Sequence, residues 1–385
     1  MPSASPYSPP RFDPIGLDTT RLTTEVRARD LGGLVLTSPE NVFYTTGFTT
    51  LPSAGNPILY GLRNRLPFFC HVDPEGRRTL LCWGFAAEGV EFGVDDIVGF
   101  GDRASALDAL ERVVRERSDP SKPLGIESSC SIEVADLLTR TSTAEQPLTT
   151  IDELMSSLRL IKSAEEVAHL RKSLMIVEQT VGELYDIMTP GMTRTDLIQE
   201  AKSRAFRLGA TGIGHATFWF AQANPELAIP EPLIPGSLVT LDLGLMYEGY
   251  ASDTRRYAYV GEAPSSLTQR YDVMVEIVDR IGEALTPGRT YKEVFDLAVL
   301  RYDESGLSPL GRFNHVGHNI GIETEEEWLD DRSDRTIESG MVINIELYST
   351  AETGEQIGNE ETYVIHDDGP ERISELPRTI IALEL

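Results

Sequence analysis

Five side chains in the C-terminal half have the types and setting to hold metal ions together: Asp242, Asp253, His318, Glu346 and Glu360. Asp242 and Asp253 lie in two β-rich runs of LVTLDLGLMYEGYASDTRRYAYVG (238–261), on either side of a turn at Tyr247-Glu248-Gly249. A carboxylate inside an apolar strand is costly to bury unless something compensates its charge. Two of them on one hairpin repel each other unless a cation lies between them. The other reading of this segment pairs one carboxylate with Arg255 or Arg256 and leaves the second at a strand end. MVINIELYS (341–349) adds Glu346 in mid-strand, on one face with Asn344, and IGNEETYVI (357–365) adds Glu360, on one face with Thr362 and opposite Glu361. Glu361 competes with Glu360 for a ligand role; its other reading is a solvated or salt-bridged strand residue. One strand carboxylate is easily a structural ion pair, but four of them in a chain with five lysines are hard to neutralise from within. His318 belongs to RFNHVGHNIGIE (312–323), which reads as a turn flanked by Gly317 and Gly321 where backbone can approach closely. Imidazole together with carboxylates is a ligand set for Zn, Mn, Fe or Co. Ions held in this way activate water, so the expected chemistry is metal-assisted hydrolysis.

Such a constellation needs strands to position it and helices to cover the strands. Residues 1 to about 16 read as an arm that is disordered or strapped down. The spacing then predicts a helix over Thr20–Arg29 and a buried strand over Gly33–Leu36. Strands are expected at Pro67–Val72 and Arg78–Trp83, around the turn Asp73-Pro74-Glu75-Gly76. A helix at about 104–116, a strand at Pro123–Glu127 and a helix near 131–140 complete a small α/β domain. From Ala164 to Met188 apolar residues recur at 167, 170, 174, 177, 181 and 184, one face of a long amphipathic helix. Ser163 and Glu166 make a capping box at its start, and Pro190-Gly191 ends it. A second helix is expected over Thr195–Leu208, capped by Thr193 or Thr195. Beyond it come strands at about 215–222, 237–245, 250–260, 341–349 and 358–365, with helices near 265–286 and 291–305. Helices on one side of antiparallel strands make an α+β architecture. The expected division is into domains 1–155 and 156–385.

On these residues the chain resembles the creatinase/aminopeptidase P/prolidase family, the M24 metallopeptidases and their relatives, which have the pita-bread fold. Metal-site members of that family carry an aspartate, a second about eleven residues later, a histidine in a G-H-x-I-G segment and two strand glutamates. Asp242, Asp253, His318 within Gly317-His318-Asn319-Ile320-Gly321, Glu346 and Glu360 match that order. SPENVFYTTGF (38–48) is similar to an element of the family's N-terminal domain, and RLIKSAEEVAHLRKS (159–173) to its entry into the catalytic domain. The resemblance implies a C-terminal pita-bread domain preceded by a smaller α/β creatinase-type domain. It implies two divalent ions (Mn, Zn, Co or Fe), with Asp242 and Glu360 at positions that bridge or chelate both, and it implies a homodimer.

The resemblance also exposes departures. The family's peptidases carry three further histidines that help hold the substrate carbonyl. One lies before the first aspartate strand, where this chain reads NPELAIPEPLIPG (224–236). Another lies seven residues after the ligand histidine, here Glu325, and a third four residues before it, here Asn314 with His315 adjacent. His215, in GHATFWFA (214–221), runs toward the same wall and is expected to substitute in part; its other reading is a surface or core histidine. Glu325 reads as an active-site acid or as a solvated charge in the run Glu323–Glu327. Trp219 is expected to line the pocket or to belong to the sheet core, and Asn314 and His315 are expected beside the substrate.

Composition narrows the classes further. The formal net charge is −27, with 34 Lys and Arg against 61 Asp and Glu. Such a surface repels phosphate backbones and anionic lipid, so neither nucleic acid nor a membrane surface is an expected partner. The acidity reads either as a surface suited to a salty cytoplasm or as ordinary acidic drift. Three cysteines, Cys70, Cys82 and Cys130, without C-x-x-C spacing fit a reduced compartment. Without a basic, apolar leader or a membrane-length apolar run, a cytoplasmic location is expected. The expected function is metal-dependent cleavage of a C–N bond in a short peptide or small molecule, as in Xaa-Pro peptidases. Glu346 would take the proton of the attacking water, and His215 or Glu325 would serve the leaving group. The alternatives are a specialised small-molecule enzyme, whether an amidohydrolase of ectoine type or a metal-dependent lyase, and a non-catalytic binding module on the same fold.

Overall fold

Short apolar runs punctuated by turn residues give the N-terminal part of the chain a mixed sheet. The computed structural model describes residues 8–52, 57–220, 229–307, 314–350 and 356–384, and the chain divides into two units, Met1–Arg159 and Leu160–Leu385. In the first unit six strands lie in the order Asp96–Phe100, Arg78–Trp83, Phe69–Val72, Gly33–Leu36, Leu124–Ile126 and Leu148–Thr150. Val35, Phe69 and Leu81 of this sheet pack against Leu110, Val113 and Val114 of the helix Arg103–Arg117 and Leu138 of the helix Ile132–Thr141. The arm is strapped down where Arg11–Phe12 pairs with Glu91–Phe92. SPENVFYTTGF forms the helix Pro39–Thr46, capped by Ser38 and ended by Gly47 at φ 73°. None of the five predicted ligands lies in this unit.

The second unit opens with the predicted long helix, Ala164–Tyr185, whose capping box of Ser163 and Glu166 is formed. The helix Arg194–Leu208 follows, capped by Thr193. Behind these helices lies a four-stranded sheet in the order Ile381–Leu383, Tyr250–Val260, Leu238–Tyr247 and Gly212–Trp219. A five-stranded sheet has the order Glu327–Asp330, His315–Asn319, Val342–Thr350, Gln356–His366 and Gly369–Arg372. The helices Ser265–Glu283 and Tyr291–Ser305 cover it, with Ile277, Val278, Ile281, Val294 and Ala298 packed against Ile343, Ile345 and Leu347.

Strand periodicity decides what the other faces carry. Ile343, Ile345 and Leu347 are fully buried toward the helices, so Asn344, Glu346 and Tyr348 point the opposite way. In the first sheet Leu241, Leu243 and Leu245 are buried in the same manner, which turns Asp242 and Gly244 to the other face. The Asp253 and Glu360 strands lie close together, so the carboxylate-bearing faces of the two sheets meet.

One local expectation is corrected. His318 does not stand in a turn; it is the fourth residue of the strand His315–Asn319, paired with Asn344 on one side and Trp328 on the other. Gly317, at φ 148°, is the reason the sequence misleads. It is not a turn glycine: a Cβ there would run into the carbonyl oxygen of Asn344, so it lets two strands approach.

Candidate metal centre

Cross-strand register assembles the site. Asp242 faces Arg255 on one neighbouring strand and Thr217 on the other, while Gly244 faces Asp253 and His215. In the second sheet Glu346 is paired with Glu360, and Asn344 with both Thr362 and His318. Residues directly opposite each other share a face. Asp242, Asp253, His215 and Arg255 therefore project from one sheet, and His318, Asn344, Glu346 and Glu360 from the other. The register brings Asp242, Asp253, His318 and Glu360 together with His215, and Glu346 lies across from Glu360.

The donor atoms fall into two overlapping groups. One oxygen or nitrogen each from His215, Asp242 and Asp253 lie within 4.8 Å of one another, as do those of Asp253, His318 and Glu360. His215 Nε2 is 2.8 Å from Asp242 Oδ1 and 3.2 Å from Asp253 Oδ1. His318 Nε2 is 3.8 Å from Asp253 Oδ2. Asn344 donates to Glu360 Oε1 at 2.5 Å, which fixes that carboxylate and leaves its second oxygen turned elsewhere.

Several of these atoms have no partner among the described residues. His318 Nε2, Asp253 Oδ1 and Glu360 Oε2 are buried without a hydrogen-bond partner among the described residues. Unsatisfied buried polar atoms are rare and costly, and these three belong to groups that converge. Nitrogen and carboxylate donors at such spacing fit a divalent transition ion.

Part of the alternative reading is also present. Arg255 forms an ion pair with Asp242 Oδ2 and lies 3.6 Å from Glu346, its guanidinium stacked 4.1 Å over the Tyr348 ring. Arg256 instead pairs with Glu361 at 3.0 Å, with both side chains essentially excluded from solvent. Glu361 is thus the salt-bridged strand residue, and Glu360 the one facing the centre. One guanidinium cannot balance Asp242, Asp253, Glu346 and Glu360. The surplus appears in their proton affinities: burial, and next to it Asp253, Asp242 and the neighbouring glutamates, hold Glu346 at about 8 and Glu360 well above the ordinary carboxyl range. For Asp242, burial is outweighed by Arg255 and His215, and its pKa falls. For His215, burial opposes the charge, but Asp253 and Asp242 overcome it and raise the pKa well above normal.

The remaining predicted residues lie at different depths. Glu325 is on the exposed rim, where partial desolvation and the carboxylates of Asp253 and Asp242 raise its pKa. The adjacent Glu326 is tied inward by Lys162 at 2.5 Å and by the Ile322 amide. The His315 ring is tilted against the Trp328 ring with centroids 3.9 Å apart, and burial lowers its pKa to about 4. Asn314 is exposed. Trp219 is half-buried, opposite Thr240 and two residues along the strand from Thr217, while Phe218 is fully buried on the core side. Of the stretch 224–236, residues up to 228 lie outside the described residues. Sequence reasoning missed two contributors, Asn344 as the donor that orients Glu360 and Trp328, which packs against both His315 and His318, and it named Arg255 only as an alternative partner for one aspartate. The shared strand face of Asn344 and Glu346 was the one signal available.

Comparison with known proteins gives the family and the fold. Residues 168–367 match the sequence family described as metallopeptidase family M24, and residues 19–161 match the creatinase/prolidase N-terminal domain. An uncharacterized peptidase of Bacillus subtilis is 29% identical over 92% of this chain and 96% of its own length. A Xaa-Pro dipeptidase of Pyrococcus horikoshii is 28% identical over 68% of this chain and 75% of its own. Among solved structures, the prolidase from Pyrococcus horikoshii superposes with a TM-score of 0.79 at 21% identity, covering 94% of this chain and 99% of that one.

Proposed function

The chain belongs to metallopeptidase family M24, with the creatinase-type N-terminal domain and pita-bread C-terminal domain of that family, and on that premise we propose that it hydrolyses a C–N bond next to proline in short peptides. The observation that carries the reading is the convergence of His318 Nε2, Asp253 Oδ1 and Glu360 Oε2, buried and without partners among the described residues. Asp242, Asp253, His318, Glu346 and Glu360 would hold two divalent ions. Such ions, when bound, lower the pKa of a water molecule and polarise a substrate carbonyl.

The protein's own groups supply the proton traffic. Glu346 is half-buried beside the centre, 3.6 Å from Arg255 and paired across the strands with Glu360, and would take the proton of the attacking water. Glu325, on the rim, suits protonation of the leaving nitrogen, since His215 Nε2 is already engaged by Asp242. His315 is neutral at working pH and can accept a substrate hydrogen bond. Trp219, Trp328 and Asn314 are the proposed walls of the substrate pocket.

The test is hydrolysis of Xaa-Pro dipeptides before and after dialysis against a chelator. We expect activity to vanish with the metal and to return with Mn, Zn or Co. Full turnover by metal-free protein, or no cleavage of any proline dipeptide by loaded protein, overturns the reading. A small-molecule C–N substrate is the second reading, favoured by Glu325 and Asn314 at positions where the family's peptidases carry histidines. Including a cyclic amidine such as ectoine in the substrate panel decides between them. A non-catalytic module would take up no ion at all. A homodimer and a domain boundary near residue 155 complete the proposal, to be checked by sedimentation and limited proteolysis.

A further inference from the structure

His215 occupies an unusual place. Its Nε2 faces two carboxylates at once, 2.8 Å from Asp242 Oδ1 and 3.2 Å from Asp253 Oδ1. Only the first contact has hydrogen-bond geometry, and Asp253 Oδ1 stays without a partner among the described residues. One N–H serves one acceptor, whereas a cation in front of the nitrogen lone pair would serve both carboxylates.

The ring is also held there. Gly244 lies opposite His215 in the strand register, and a Cβ at Gly244 would come within 2.5 Å of the imidazole. The missing side chain lets the ring lie down against the neighbouring strand, so the direction of Nε2 is set by packing. The strand partners of Gly244 are His215 on one side and Asp253 on the other, which brings the nitrogen to the carboxylate from across one glycine.

The geometry points to His215 as a sixth metal ligand, binding through Nε2 an ion shared with Asp242 and Asp253. The centre then has two matched halves. His215 with Asp242 and Asp253 forms one nitrogen-and-oxygen set, and His318 with Asp253 and Glu360 forms the other. Arg255 occupies the outer oxygen of Asp242 and lies 3.6 Å from Glu346, which belongs to neither set. Imidazole in both halves favours Zn, Co or Fe over Mn, which prefers oxygen donors. The inference rests on the metal-centre part of the proposed function but not on peptide cleavage.

Titration of metal-free, full-length protein with Co(II) tests it, read by calorimetry and by proton NMR of the paramagnetically shifted imidazole ring signals. We expect two shifted imidazoles in the parent protein and one in His215→Ala, with one ion weakened by at least about tenfold and the other retained. His215→Gln, which keeps bulk and polarity but loses the imidazole, should behave as His215→Ala does and guards against a variant that fails to fold. Unchanged affinities and two shifted imidazoles in both variants overturn the assignment. A parent protein that takes up no cobalt overturns this inference and the metal centre together. A parent protein that shows both imidazoles yet cleaves no C–N bond overturns the peptidase reading alone.

Discussion

Glu360 and Glu361 are neighbours in sequence with opposite duties, because adjacent strand residues point to opposite faces. Glu361 neutralises Arg256, and both are almost wholly excluded from solvent. Removing one partner of such a pair leaves a buried, uncompensated charge. Glu361→Ala is expected to cost roughly 3–5 kcal/mol in urea unfolding. Glu360→Gln should have the opposite profile: the amide replaces a carboxyl that holds its proton in the metal-free chain, so metal-free stability is unchanged or higher while metal uptake is lost. Equal destabilisation by both substitutions would contradict this division. The same surplus sets a pH dependence. Glu346 at about 8 and Glu360 bind protons more tightly in the folded, metal-free chain than an ordinary carboxyl at 4.5, and His215 does so relative to 6.5. Stability gained from these raised values is complete below the unfolded pKa and is lost as pH rises through the folded one. Metal-free protein should therefore lose stability between about pH 5 and pH 8, whereas metal-loaded protein, with ions in place of the protons, should change little. Denaturation midpoints of both forms across that range give the answer, and a metal-free midpoint climbing with pH would be the wrong sign.

At the scale of elements, the sequence carried most of the scaffold. Two signals were local and therefore legible: the 3–4 spacing with a capping box that became Ala164–Tyr185, and the alternation of Ile343, Ile345 and Leu347 with Asn344 and Glu346. What it did not carry depends on pairing with distant segments. Glu327–Asp330, Gly369–Arg372 and Ile381–Leu383 are short strands at sheet edges, without an alternating pattern of their own. Arg255 could be named as a partner for a carboxylate but not placed between Asp242 and Glu346, since Glu346 arrives from the other sheet. Gly317 shows the same limit: a glycine beside a histidine signals freedom, and only the paired strand reveals that the freedom is used for close approach. That gives a sharp prediction. A methyl at Gly317 meets a backbone carbonyl that cannot rotate away, and φ 148° is hostile to an L side chain. Gly317→Ala should cost at least about 1–3 kcal/mol and weaken metal binding with it, because the strand it disrupts carries His318. Gly288→Ala is a fair control: it also has positive φ, but a Cβ there meets nothing within 4 Å. If both variants bind metal as the parent does, the close approach is not what positions His318.

At the scale of the whole molecule, two electrostatic regimes coexist. Inside, charges are paired at short range: Lys162 with Glu326, Arg194 with Glu231 and Arg256 with Glu361 are all nearly or fully removed from solvent. Salt screens such pairs little. The chain as a whole, by contrast, carries a net charge of −27, with acidic groups outnumbering the basic ones by nearly two to one. Folding concentrates that charge, so mutual repulsion opposes the folded state at low ionic strength. Raising ionic strength from about 0.1 M to about 1 M shortens the screening length from roughly 10 Å to roughly 3 Å, which removes most repulsion between surface carboxylates. The buried pairs keep their attraction over the same range. Thermal melts of metal-loaded protein in KCl, which avoids the general stabilisation given by sulfate or phosphate, should therefore shift upward by several degrees across that range. A surface evolved for a salty interior would continue to gain above about 1 M, after simple screening is exhausted, whereas ordinary acidic drift would level off there. A melting temperature that is flat or falls with KCl would mean that the exposed acidic groups are already neutralised locally, and that the net charge says nothing about stability.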